Sequence, residues 1–183
     1  MITLKKKFSD SYNFVFNKTV LMRVDLNVPI SDGKITDSTR ISKIIPTILK
    51  LLEQKAKIII VTHLGRPKGE WNEDFSLNIL VKEIELLTER KVFFFKNNIK
   101  SVKRQDINEK FKVNDLILLE NIRFYPEEEK NEENFVKKLS SFADIFINEC
   151  FSCSHRPHAS ISGIPQFLPS FPGKLLENEI FNL

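Results

Sequence analysis

Residues 57–67 read KIIIVTHLGRP and set four β-branched apolar residues in a row: Ile58, Ile59, Ile60 and Val61. Branched side chains stiffen the chain and favour extended backbone, so a short unbroken run of this kind is a buried strand. The run stops abruptly, and within six residues the chain has placed His63, Gly65, Arg66 and Pro67. A strand aimed through a hydrophobic core therefore delivers an imidazole and a guanidinium at its tip. What those groups face depends on the other strands.

Similar apolar runs occupy 20–24, 58–62, 92–95, 116–119 and 144–148, and helical patterns lie between them. Ile41, Ile44, Ile45, Ile48, Leu49 and Leu52 recur at helical spacing behind Asp37 and Ser38, both good capping residues. Pro46 falls inside that stripe and is expected to kink it. Leu77, Leu80, Val81, Ile84 and Leu87 form a second stripe with Ser76 as N-cap. Phe135, Val136 and Leu139 form a third, after Asn131. Alternating strand and helix predict an α/β fold: a single-domain, Rossmann-like parallel sheet sandwiched by helices. Asp32-Gly33 between short segments reads as a hairpin. The final LLENEIFNL reads as the start of a helix whose apolar residues Leu175, Leu176, Ile180 and Phe181 have nothing left to pack on them. Such a surface favours self-association.

At 183 residues the chain suits one well-cored domain. Its 42% hydrophobic and 28% charged residues are ordinary for a soluble protein. No apolar run reaches the length of a membrane span, and MITLKKKFSD has no apolar stretch behind its basic residues. A cytoplasmic protein with no membrane partner is expected. The 28 basic residues exceed the 24 acidic ones only slightly. That excess suits an acidic small molecule or a weak polyanion contact; the lack of a long basic block with interleaved aromatics argues against a nucleic-acid module. Lys5, Lys6 and Lys7 read as a solvated face. The five glycines, Gly33, Gly65, Gly69, Gly163 and Gly173, form neither G-x-G-x-x-G nor G-x-x-x-x-G-K-[ST], so both familiar nucleotide-phosphate loops are lacking.

Ligands of an open α/β sheet sit beyond the carboxyl ends of its strands. Asp25 and Asn27 follow the first strand, with Arg40 beyond the hairpin. His63 and Arg66 follow the second. Arg123 follows LILLENI, and His155, Arg156 and His158 follow DIFINECF. Four of the seven arginines thus follow strand ends. In a parallel sheet they converge on one edge and offer cationic donors to an anion, the planar guanidinium pairing two oxygens of a phosphate or carboxylate. Taken singly, each has a plainer reading. Asp25 and Asn27 are equally turn formers, Arg40 a surface ion pair, Arg123 a partner of nearby glutamates, and His63 a satisfied core histidine. Cys150, Cys153, His155 and His158 lie too close in sequence to wrap a zinc tetrahedron comfortably. C-x-x-C is also a redox spacing, but the cysteines are read as small buried fillers.

The segments RVDLNVP, KITDSTRI, THLGRPKG, LLENIRFYPEEEKN and SHRPHAS, in this order and spacing, resemble phosphoglycerate kinase over nearly the whole chain. The resemblance is to the N-terminal, 3-phosphoglycerate-binding half of that two-domain, monomeric, cytoplasmic enzyme. It implies such a domain over 1–173 and the start of an interdomain helix over 174–183, with the nucleotide-binding domain absent. It implies that Asp25 and Asn27 position substrate, and that His63, Arg66, Arg123 and Arg156 hold the 3-phosphate. It implies that Arg40 steadies the transferred phosphoryl group. The family's Mg-ATP or Mg-ADP would bind the missing domain, leaving 3-phosphoglycerate and a separate C-terminal half as partners. The chain alone is then expected to be inactive. The alternative is a non-catalytic anion-binding or partner-binding remnant; a weak RNA binder is a third reading. Glu149, Cys150, Phe151, Ser152, Cys153 and Ser154 stand where the family usually has Asp-Ala-Phe-Gly-Thr-Ala. Ser152 in place of glycine is expected to be strained if the site needs a positive φ, and Pro157 to restrict Arg156.

Overall fold

The computed structural model describes residues 6–111 and 116–182; Lys5 and Leu183 of the sequence reading lie outside the described residues. In chain order the elements are α1 (Tyr12–Val15), β1 (Thr19–Arg23), β2 (Ile30–Ser31), β3 (Lys34–Ile35), α2 (Thr39–Glu53) and β4 (Lys57–Val61). Then come α3 (Val81–Thr88), β5 (Val92–Phe95), α4 (Arg104–Asn108), β6 (Leu116–Leu119), α5 (Pro126–Glu129) and α6 (Glu133–Ser140). The last are β7 (Ile145–Asn148), β8 (Ser170–Pro172) and α7 (Lys174–Phe181). Six strands form one sheet in the order β5-β6-β4-β1-β7-β8, every neighbouring pair parallel. β2 and β3 make the expected hairpin, with Asp32 and Gly33 both at positive φ.

The period-two alternation of strand side chains explains why the runs had to be apolar throughout. Val20 and Met22 of β1, with Ile58 and Ile60 of β4, face one core that includes Ile41, Ile44 and Ile48 of α2. Leu21, Ile59 and Val61 face the other, with Phe135, Val136 and Leu139 of α6. Each fully buried isoleucine contributes about 1.5–3 kcal/mol. The chain runs from β1 to β4 on one side and later crosses from β6 to β7 on the other, so the strand order reverses at β1. The crevice that this reversal opens lies at the carboxyl end of β1, beside the tips of β4 and β7.

α2 spans Pro46 without a break in its assignment, and the proline ring sits on the exposed face, where water can serve the carbonyl it leaves without a partner. Asp37 rather than Ser38 takes the first amide of α2, Oδ1 accepting from Thr39 N at 2.8 Å. The strand β8 was not foreseen; it sits at the sheet edge, where prolines on either side of Phe171 are tolerated. No helix among the described residues is long and apolar enough to cross a membrane.

The terminal helix is not unpartnered. Leu176 is buried and Leu175 packs against the α2 side of the core, although Phe181 stays exposed. Glu149, fully buried just past β7, ties it down. Its Oε1 accepts from Leu175 N at 3.1 Å and from the Thr47 hydroxyl, and its Oε2 from Leu176 N at 3.1 Å. A Cβ on Gly173 would lie 1.9 Å from Glu149 Oε2, so only glycine lets the carboxylate reach the helix amides. Burial pushes the Glu149 carboxyl up, opposed by Thr47 and the two amides. Glu149→Ala leaves two helix amides and a hydroxyl without a partner. It is expected to lower unfolding free energy by about 3 kcal/mol, read from the urea midpoint; a loss under about 1 kcal/mol would contradict this bracing role.

Candidate functional site

The residue at the carboxyl end of β1 is Arg23, completely buried. Sequence reasoning passed over it because it closes an apolar strand. Its guanidinium is held on three sides: Nε donates to Ser160 Oγ at 2.9 Å, Nη1 to the Val24 carbonyl, and Nη2 meets His63 Nδ1 at 3.1 Å. Ser160 passes the charge on. Its hydroxyl donates to Glu128 Oε1 at 2.5 Å and its amide to Glu128 Oε2 at 2.9 Å. Glu128 is itself fully buried, and burial raises its pKa, opposed by Arg23 and the Ser160 donors. One buried acid therefore supports one buried base through a serine, a pairing that desolvation would otherwise forbid.

This bracing settles the state of His63. A guanidinium has only donors, so Nδ1 must accept and the proton sits on Nε2. Burial, then the charges of Arg23 and Arg123, push the imidazole down to about 2. His63 is a neutral Nε2–H donor, because it sits dry among guanidinium groups. Thr62, just before it, joins the tips of β1 and β4, its hydroxyl donating to the Val24 carbonyl at 2.9 Å and accepting from Leu26 N at 3.0 Å.

Arg123 follows β6 and is 5% exposed. Its Nη1 donates to the Gly65 carbonyl at 3.2 Å, and its Nε lies 3.7 Å from Glu129 Oε1 without a hydrogen-bond partner. Gly65 has a φ of +62° and no room for a side chain, since a Cβ would lie 2.3 Å from the Phe75 ring. Its backbone joins the clusters, because Gly65 N donates to Asn27 Oδ1 at 2.8 Å. Burial lowers the Arg123 pKa, and Arg156 and Arg23 lower it further, while Glu129 opposes them. Arg156, half-buried, also acts on His63 and His158. Three arginines thus repel one another around neutral His63.

Asp25 and Arg40 form an ion pair and, with Ser152 and Glu149, line a cavity of about 350 Å³. Asp25 Oδ2 takes the Ser152 hydroxyl at 2.5 Å, and Oδ1 takes Asn27 N at 3.1 Å. Burial opposes its ionisation, but Ser152, Asn27 N, His63 and Arg40 outweigh that and hold the carboxyl below the usual range. Ser152 does not have positive φ, so the expected strain is not there; its side chain instead supplies a hydrogen bond. Arg66 is exposed and lines a separate depression of about 590 Å³ with Pro67, Lys68 and Trp71. The structure thus joins Asp25 to Arg40, links Asn27 to the 63–67 loop, and groups His63, Arg123 and Arg156. It leaves the Arg66 side chain at the edge.

The family model of phosphoglycerate kinase matches residues 11–183. Phosphoglycerate kinase of Wolbachia pipientis wMel is 50% identical over 164 residues, which cover 90% of this chain and 41% of the relative. That of Orientia tsutsugamushi is 48% identical over 169 residues, covering 92% and 41%. Among solved structures, the phosphoglycerate kinases of Coxiella burnetii and Pyrococcus horikoshii OT3 superpose with TM-scores of 0.82 and 0.84, each at 35% identity. They are covered by this chain over 41% and 44% of their length, and cover 91% and 96% of it. The chain spans about two fifths of the relatives it matches.

The buried neutral His63 has a consequence for stability. An unfolded histidine protonates near about pH 6.5, whereas the folded one resists down to about 2. The unfolded chain binds more protons in between, so this contribution is complete above about pH 6.5 and declines as pH falls, by about 1.4 kcal/mol per unit. Urea unfolding near neutrality and near about pH 5 is expected to show a steeper loss for the native chain than for His63→Asn. Equal slopes would mean that His63 is not the buried neutral group described.

Proposed function

The chain belongs to the phosphoglycerate kinase family, and from that premise we propose that it supplies the 3-phosphoglycerate site of that enzyme. The reaction is ATP and 3-phosphoglycerate to ADP and 1,3-bisphosphoglycerate, reversibly. The observation that carries the reading is the group of Arg23, Arg123 and Arg156 around neutral His63, whose mutual repulsion an anion would relieve. In this reading His63, Arg66, Arg123 and Arg156 hold the 3-phosphate, and Asp25 and Asn27 position the glycerate. Arg40, at the start of α2 and paired with Asp25, steadies the transferred phosphoryl group. The placement is the family's; the charge pattern at the strand tips supports it.

The acceptor carboxylate is already ionised at neutral pH, so no base is needed. The obstacle is its repulsion from a negatively charged phosphoryl donor, and positive charge at the transfer point is the main requirement. Arg40 meets it from an exposed position, leaving Asp25 when the phosphoryl group arrives. A well-placed donor of this kind contributes about 3 kcal/mol to the transition state.

The five glycines form neither of the familiar loops that cradle nucleotide phosphates. In the family reading the nucleotide comes from a C-terminal half, which is also the proposed partner. The chain alone then binds 3-phosphoglycerate without turnover, as a soluble cytoplasmic component of glycolysis.

Calorimetry with 3-phosphoglycerate is expected to give saturable binding that Arg156→Met, on the half-buried member of the group, weakens about tenfold. No saturable heat at millimolar ligand would overturn the reading. Adding a separately expressed nucleotide-binding half should restore turnover in a coupled assay. Continued silence with binding intact would favour a non-catalytic anion-binding protein.

A further inference from the structure

Cys150 and Cys153 are the chain's two cysteines, and both are buried and free. They lie at the ends of a single 3₁₀ turn, Phe151–Cys153, that β7 delivers to the site. Residues three apart in such a turn have Cα atoms within about 7 Å, and a disulfide spans about 4.4–6.8 Å. The two sulfurs surround one hydroxyl: Ser152 Oγ lies 3.7 Å from Cys150 Sγ and 3.8 Å from Cys153 Sγ. That hydroxyl is the one bound to Asp25. The two side chains pack together with Ile161 in a small cluster apart from both main cores.

We propose that Cys150 and Cys153 are a reversible dithiol–disulfide couple, oxidised by hydrogen peroxide, whose closure acts on Asp25 through Ser152. The sulfurs differ in access. Cys150 is fully covered, whereas Cys153 keeps 4% of its surface open, beside exposed Ser152 and Ser154. Cys153 is also the better nucleophile: the Cys150 thiol hydrogen bond draws it down to about 5 against its burial, with Arg23 helping. The same bond and burial push Cys150 up. Thiolate chemistry then runs in a fixed order. Cys153 Sγ attacks one peroxide oxygen, the O–O bond breaks, and the departing hydroxide takes a proton to become water. Cys150 Sγ then attacks the sulfenic sulfur, the S–O bond breaks, and the hydroxyl leaves with the Cys150 proton as a second water. Two thiols lose two electrons and the peroxide gains them.

Closing the bond brings the sulfurs to about 2.05 Å of each other and turns the backbone that holds Ser152. The Ser152–Asp25 hydrogen bond is the contact this strains, and its loss raises the Asp25 pKa. Arg40 and Asn27 N remain on the carboxylate, and His63, just past β4, also lowers its pKa. None of this depends on which anion the site takes.

Intact mass after stoichiometric hydrogen peroxide tests the couple directly. The expected product is a monomer lighter by two hydrogens, with no thiol open to iodoacetamide, restored by dithiothreitol. Oxygen adducts or a disulfide-linked dimer would overturn the proposal. Cys150→Ser should stop at a dimedone-reactive adduct on Cys153, and Cys153→Ser should stay unoxidised under the same dose. Oxidation of Cys150 in the latter would overturn the order of attack. Carboxyl NMR, with Asp25 assigned through Asp25→Asn, should show a higher titration midpoint in the oxidised chain. An unchanged midpoint would overturn the coupling to Asp25.

Discussion

The contact on which this site depends is the 3.1 Å approach of Arg23 Nη2 to His63 Nδ1 at the tips of two adjacent parallel strands. It is braced by Glu128, which reaches Arg23 through Ser160. Removing one partner of such a buried arrangement strands the other, at a cost of about 3–5 kcal/mol. The fold therefore commits the residues after β1, β4 and β6 and those around 160 to one relative position. The imidazole that results has a single tautomer and no charge.

Around that neutral donor the like-charged guanidinium groups are left incompletely paired. Arg123 has only a loose contact with Glu129, and Arg156 no acid partner among the described residues. The fold holds this repulsion because the backbone hydrogen bonds of the 63–67 loop and the packing of six strands outweigh it. A doubly charged phosphate would turn the same repulsion into attraction. At the neighbouring cavity Asp25 does the opposite and pairs directly with Arg40. Both arrangements are compatible with the proposed phosphoglycerate-kinase role, and the buried Cys150–Cys153 turn adds a feature that lies outside that reading.

Much of this architecture was legible in the residue pattern. Apolar runs buried on both faces required helices on both sides, and the strand cores at 58–61, 92–95, 116–119 and 145–148 follow from them. The positions of Asp25, Asn27, His63 and Arg123 followed from the rule that ligands lie beyond strand ends. What the pattern concealed were properties that only tertiary neighbours decide. Arg23 looked like the last residue of a strand, because its partners Ser160 and His63 are far away in sequence. The neutral state of His63 was hidden, because its burial among arginines is not a local feature. Ser152 looked like a strained replacement for glycine, whereas its hydroxyl found Asp25. The terminal helix looked unpartnered, since nothing in LLENEIFNL reveals that Glu149 caps it.

The central claim is that His63 is a neutral Nε2–H donor aimed at an anion. Nitrogen-15 NMR of the histidine rings near neutral pH tests it most directly. The account predicts a His63 signal in the neutral tautomer protonated at Nε2, unchanged on moderate acidification, with the Nε2 resonance moving when 3-phosphoglycerate is added. An imidazolium signal, or a ring protonated at Nδ1, would contradict it.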